Sequence, residues 1–364
     1  MRASVLNDAS LVKRAGQFAW LSVDTDKPVN AGISAKLAAE GVPVFIVIDS
    51  ATEKVALSWY GSATATQLAA LMDDGVRVIS GGASGPEAIL ARADEANARK
   101  DYANATAFYE QALKAGGEKW PKRPRALESL IMAQVFAHNQ VGCAETALRE
   151  APGMARDRSF VNVIYFGLDC VKPGTPESKE MTKLAEEAVK IPGVLSDDIS
   201  QLYGSLTYYY QQDPSNSERV ANEWVAYLRR ELAQAKGPDA RLALDLQLVS
   251  AATALHKPEM ALPEIERAER ELPKEYMPPR TAAGLYSQLG RFDDAINACG
   301  RALTRADGDP KLRTYLMCGG ILARKGDKPA AKKMYEDGIA YGRTLPAGVG
   351  KNAVQALETA ASKL

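Results

Sequence analysis

From residue 86 to the carboxy terminus the chain keeps a single pattern. Apolar residues recur at helical spacing, and Pro, Gly or Asp interrupts them at intervals of roughly 15 to 20 residues. No alternating stretch of strand type occurs in this part. A short amphipathic hairpin has an apolar face that it cannot cover alone, so successive hairpins must stack on one another, and a stacked array coils around a concave groove. Dividing roughly 280 residues by about 40 per hairpin gives near seven hairpins.

The densest register is PRTAAGLYSQLGRFDDAINACGRALTRADGDP at residues 279–310. Ala283, Tyr286, Ala295, Cys299, Ala302 and Pro310 fall there at the offsets of a tetratricopeptide repeat, and the segment resembles that family. The pattern of its second helix recurs around Tyr102, Ala105, Tyr109 and Ala112, and again around Gly319, Ala331, Tyr335 and Gly338. The resemblance implies an α-solenoid with Ala283, Ala295 and Ala302 at helix contacts. It also implies a protein or peptide partner held in the concave face.

The first 80 residues read differently. FAWLSV at 18–23 alternates like a half-buried strand, and 30–40 places Ile33, Leu37 and Ala38 on one helical face before Gly41. Val44–Ile48 is β-branched and aromatic, a turn follows at 49–52, residues 54–60 give a second strand of a hairpin, and 64–72 a closing helix. This order, with Gly41-Val42-Pro43 directly before VFIVID, resembles the second half of a thioredoxin-like domain. The resemblance implies a cis Val42–Pro43 bond at an outward sheet edge, where Val42 and Pro43 would receive an extended peptide backbone. Val44 departs from the family's commoner threonine. The small, aperiodic segment GGASGP at 81–86 reads as a linker. The expected fold is therefore α/β followed by all-α: a partial thioredoxin-like domain at 1–80, a linker at 81–86 and a tetratricopeptide-type α-solenoid over 87–364.

Charge excludes one class of partner. Lys and Arg number 45 against 45 Asp and Glu, and residues 1–80 hold seven basic and eight acidic side chains. Neither part has the basic surplus that phosphate neutralisation leaves, so a nucleic acid is not expected. The longest apolar run, 42–48, is of strand length and too short to span a membrane. Cys143, Cys170, Cys299 and Cys318 and the two histidines, His138 and His256, show no metal-ligand or CxxC spacing, so neither a metal nor a cofactor is expected. The cysteines read as buried free thiols that pack as small hydrophobes, although Cys299 and Cys318 fall on neighbouring helices. His138 and His256 read as helix-end residues, KWPKRPR at 119–125 as a solvated loop, and Tyr203, Leu206 and Tyr210 as one core-facing stripe beside Tyr208 and Tyr209.

The functional expectation is a protein-interaction module whose thioredoxin-like part is redox-inactive in this chain, since residues 1–142 contain no cysteine. No catalytic residue is expected. The alternative is a thiol–disulfide oxidoreductase whose CxxC lies upstream of Met1, with helical repeats that recruit substrate proteins. On that alternative Met1 is an internal methionine, and the place of action is periplasmic rather than cytoplasmic.

Overall fold

The computed structural model describes residues 5, 6, 8–25, 27–37 and 43–364. A 3-10 helix at Ala9–Gln17 and another at Pro28–Asn30 precede α1 (Ala31–Leu37), the antiparallel pair β1 (Val44–Ile48) and β2 (Val55–Tyr60), and α2 (Ala65–Ile79). Fifteen further helices follow. The first eight are α3 (Pro86–Ala98), α4 (Tyr102–Gly116), α5 (Arg123–Phe136), α6 (Gln140–Glu150), α7 (Arg158–Asp169), α8 (Pro176–Ala188), α9 (Ser196–Tyr209) and α10 (Pro214–Gln234). The rest are α11 (Pro238–Ala254), α12 (Leu262–Glu271), α13 (Met277–Gln288), α14 (Phe292–Arg305), α15 (Gly308–Lys325), α16 (Lys328–Gly342) and α17 (Lys351–Ala361). The pairs α3–α4, α5–α6, α7–α8, α11–α12, α13–α14 and α15–α16 pack as hairpins, α10 meets α9 through Trp224, whose indole N–H donates to Ser200, and α17 packs on α15 and α16.

The hairpin turns explain the spacing of the breaks. Lys100, His138, His256, Gly290 and Gly326 all take positive φ between the first and second helix of a pair. At three of these turns the next residue is a side-chain cap: Asp101, Asn139 and Asp327 accept the amides of Asn104, Gly142 and Ala330. Glycine takes the left-handed region freely, whereas Lys100 and the two histidines occupy it against steric preference. The two histidines thus serve as turn residues just past a helix end.

Residues 1–20 and 37–224 form one compact unit, and residues 21–36 with 225–364 form another. In the second, Ala283, Ala295, Ala298 and Ala302 are fully buried between helices, where the missing side-chain bulk lets backbones approach. Its last helices close over Leu312, Ala331, Tyr335 and Leu357.

In the first unit β2 is covered on both faces. Leu57 and Trp59 join Leu68, Leu71 and Met72 of α2 in one core, with Val5 and Leu11 from the amino-terminal segment. On the opposite face Ser58 donates to the backbone carbonyl of Asp94 in α3 at 3.2 Å. The 81–86 segment lies inside this unit as a turn between α2 and α3, with Gly81 and Gly85 at positive φ. Residues 18–23 form no strand. Among the described residues only β1 and β2 pair, and a strand without a partner leaves its backbone groups unsatisfied. The α-helical part of the expected helix at 30–40 runs from Ala31 to Leu37, and its remainder, with Gly41 and Val42, lies outside the described residues.

All four cysteines are bridged, Cys143 to Cys170 and Cys299 to Cys318, which corrects the free-thiol reading. Their Cα atoms stand 6.0 and 5.9 Å apart, within bridging range, because each pair sits where adjoining helices pack. KWPKRPR is not a solvated loop either. Trp120 is buried, Lys122 bridges Asp74 and Glu87 at 2.7 and 3.1 Å, and Arg123 and Arg125, which open α5, pair with Glu150 and Asp94.

Candidate functional site

The first helices of three successive hairpins, α5, α7 and α9, present one face each. On α7 that face carries Arg158, Asn162, Tyr165 and Asp169, spaced by four, three and four residues, which is the helical repeat. On α9 the same logic aligns Asp198, Gln201, Ser205 and Tyr208.

At the amino-terminal ends of these helices the face is filled by ions. Arg158 donates from Nε to Asp198 at 2.8 Å, and from Nη2 to the backbone carbonyl and the Oγ of Ser62, just past β2. Ser62 Oγ itself donates to Asp198 at 2.6 Å. Glu128 of α5 accepts from Ser159 and from Asn162 Nδ2, and stands 3.8 Å from Arg158 Nη1. Burial pushes the Glu128 carboxyl above its ordinary value, against the pull of Arg158 and its two hydrogen bonds. A similar knot lies next to it: Asp94, buried on α3, accepts from Tyr109 Oη and from Arg125. Burial raises its carboxyl too, and Arg125 opposes the shift. These networks hold the β-hairpin against the helices.

Toward the carboxy-terminal ends the same face is open. Rings run from Tyr60 to Phe136 and from Phe136 to Tyr102, each pair 5.3 Å apart between centroids. A cavity of about 330 Å3 follows, lined by Tyr102, Phe136, His138, Gln140, Asp169 and Cys170. A second, of about 470 Å3, is lined by Asp169, Lys172, Gln201, Ser205, Tyr208 and Tyr209. Asp169 belongs to both, so the two form one groove. Its side chain is exposed to solvent in the groove, partial desolvation by the groove wall raises its carboxyl above the usual range, and it has no hydrogen-bond or ionic partner among the described residues. Tyr165 and Tyr209, whose phenols are pushed up to about 12 chiefly by burial, also feel its charge.

The backbone around Asp169 is tied down on both sides. Tyr209 Oη reaches the carbonyls of Leu168 and Val171, at 2.5 and 2.7 Å, and Cys170 is bridged to Cys143 on α6. Tyr203 and Leu206 are buried as the periodicity requires, Tyr210 is half-buried, and Tyr208 is exposed and Tyr209 half-buried on the groove.

Of the two residues that the sequence points to as a peptide site, Val42 lies outside the described residues. Pro43 is exposed, and its carbonyl accepts the Gly61 amide at 2.9 Å. It lines neither cavity of the groove. The sequence reading missed Asp169; the signal available was an acid as the last residue of a helix, where the dipole disfavours it.

Stacked helical hairpins with a groove across their first helices define this chain as a helical-repeat protein. No protein-family model matches the sequence, and no curated protein matches it. Among solved structures, a tetratricopeptide repeat protein from Parabacteroides merdae ATCC 43184 is 12% identical with a TM-score of 0.45, over 76% of this chain and 98% of that one. YrrB, described as a TPR protein with an unusual peptide-binding site, is 16% identical with a TM-score of 0.33, over 61% of this chain and all of its own. Acl4, the assembly chaperone of RpL4 (residues 1–338), is 15% identical with a TM-score of 0.39, over 76% and 95% of the two chains.

Proposed function

We propose that this chain is a protein-interaction scaffold whose first unit receives an extended polypeptide segment along the face shared by α5, α7 and α9. The observation that carries the reading is the pair of adjoining cavities meeting at Asp169, walled by Tyr102, Phe136, Tyr208 and Tyr209. Half-buried rings such as Tyr102, Phe136 and Tyr209, with the exposed Tyr208, give contact area for little lost side-chain freedom, which is what a groove for a flexible segment needs. The segment 1–80, of which 43–79 supply strand, turn, strand and helix, is read as a thioredoxin-like remnant without redox activity, acting as a cap that closes one end of the groove. The networks at Arg158 and Asp94 support the role of a fixed cap. Val42 and Pro43 stay a proposed secondary contact for an extended backbone.

The test is hydrogen exchange of the full chain with and without an array of unstructured capped peptides. Binding in the groove protects amides in 135–140, 168–173 and 201–209. Protection confined to other segments would remove this reading.

A further inference from the structure

Asp169 is an exposed acid at a helix end that does not favour one. It closes α7, where the unpaired carbonyls already concentrate negative charge. It borders the phenols of Tyr165 and Tyr209, which its charge keeps neutral and neither of which donates to it, and it has no cation beside it. Lys172 and His138 line the two cavities, yet neither pairs with it. On α5 and α9 the acid Glu128 is matched by Ser159 and Asn162 and the acid Asp198 by Arg158, as Asp94 of α3 is by Arg125. The one at the groove's centre is not, although the backbone carrying it is fixed by a disulfide and by Tyr209. Such rigid support for an exposed, unpaired carboxylate between aromatic walls suits a ligand contact, because its position is fixed before a partner arrives.

We infer that Asp169 is the specificity-determining residue of the groove, and that the segment bound there carries an arginine whose guanidinium pairs with this carboxylate between the rings of Phe136 and Tyr208. The inference rests on the groove reading above and adds the chemistry of the partner. Arginine fits better than lysine because its planar, weakly hydrated cation stacks on aromatic faces and can donate two parallel hydrogen bonds to one carboxylate. Gln201 and Ser205, on the same side of the groove, supply polar contacts for the backbone of the incoming segment.

The experiment uses the full chain and a set of capped ten-residue peptides, each with a central arginine flanked by Leu, Tyr, Pro or Ser, alongside counterparts in which citrulline replaces arginine. Citrulline keeps the shape and removes the charge. Binding is followed by fluorescence anisotropy of labelled peptide and by hydrogen exchange. The expected result is that arginine peptides protect 168–173 and 201–209, and that either citrulline or Asp169→Asn weakens binding by about tenfold or more. Asn is isosteric at this open position, and the citrulline arm needs no variant at all. Equal binding of arginine and citrulline peptides, with the groove protected, would overturn the arginine inference and leave the groove reading intact. Failure of every arginine peptide while neutral peptides protect the groove would do the same. If no peptide of either kind protects the groove, both fall together.

Discussion

Replacing Arg158 by Met removes the cation that joins three elements of the first unit, and the structure sets the size of the loss. Asp198 keeps one donor, Ser62 Oγ, Glu128 keeps Ser159 and Asn162, and the Ser62 carbonyl keeps the Trp59 indole N–H while losing the guanidinium. Removing one member of a buried ion pair costs about 3–5 kcal/mol, because the remaining charge is left desolvated. The surviving hydrogen bonds to both acids place this case at the lower end, about 3 kcal/mol. All four tryptophans, Trp20, Trp59, Trp120 and Trp224, lie in the first unit, so their fluorescence reports its unfolding in urea. The loss also has a pH signature. Burial already holds the Glu128 carboxyl above its ordinary value and Arg158 opposes that shift, so without Arg158 it rises further. A carboxyl whose folded pKa exceeds its unfolded one destabilises the ionised fold, and the cost fades as pH falls through the folded value. The gap between the parent and the Met variant therefore narrows from pH 7 to pH 5. A loss below about 1 kcal/mol at pH 7, or a gap that widens on acidification, would refute the reasoning that these ions fix the hairpin.

Thiol titration of the unreduced, denatured chain should find no free cysteine, and reduction should lower stability by about 3 kcal/mol for each bridge given separations of 27 and 19 residues; free thiols without reductant would contradict the pairing. In the second unit Asp245 is buried on α11, with both carboxylate oxygens accepting from Arg267 Nη2, and burial lifts its pKa to about 6. Its folded pKa exceeds the unfolded one, so its ionisation costs stability as pH rises from about 4 to beyond 6; Asp245→Asn should gain on the parent between pH 4.5 and 7 in urea midpoints by circular dichroism, and a constant difference would disprove it. Gly167 faces Ala147 Cβ, which a new methyl would meet at 2.7 Å, and Met181 Cε at 2.9 Å, so Gly167→Ala should cost about 1–3 kcal/mol in tryptophan-detected unfolding. An unchanged midpoint would mean that α7 does not pack this closely on α6 and α8.

The helices were legible in the sequence because their signals are local. Periodic apolar residues, a cap such as Asp101 or Asp327, and a turn residue before it each act within a few positions, and the buried alanines 283, 295 and 302 follow from the repeat alone. Residues 18–23 carried the same local signal for a strand and formed none, since a strand exists only where another chain segment offers its edge. The cysteine bridges, the ion knots at Arg158 and Asp94, and the buried basic residues of KWPKRPR depend on which helix faces meet, over separations from 15 to 136 residues. Local spacing carries no record of such meetings. Asp169 shows the division most clearly. Its position at a helix end could be read from the chain, but its lack of a partner, and the aromatic walls that make this matter, arise only when α5, α7 and α9 are brought side by side.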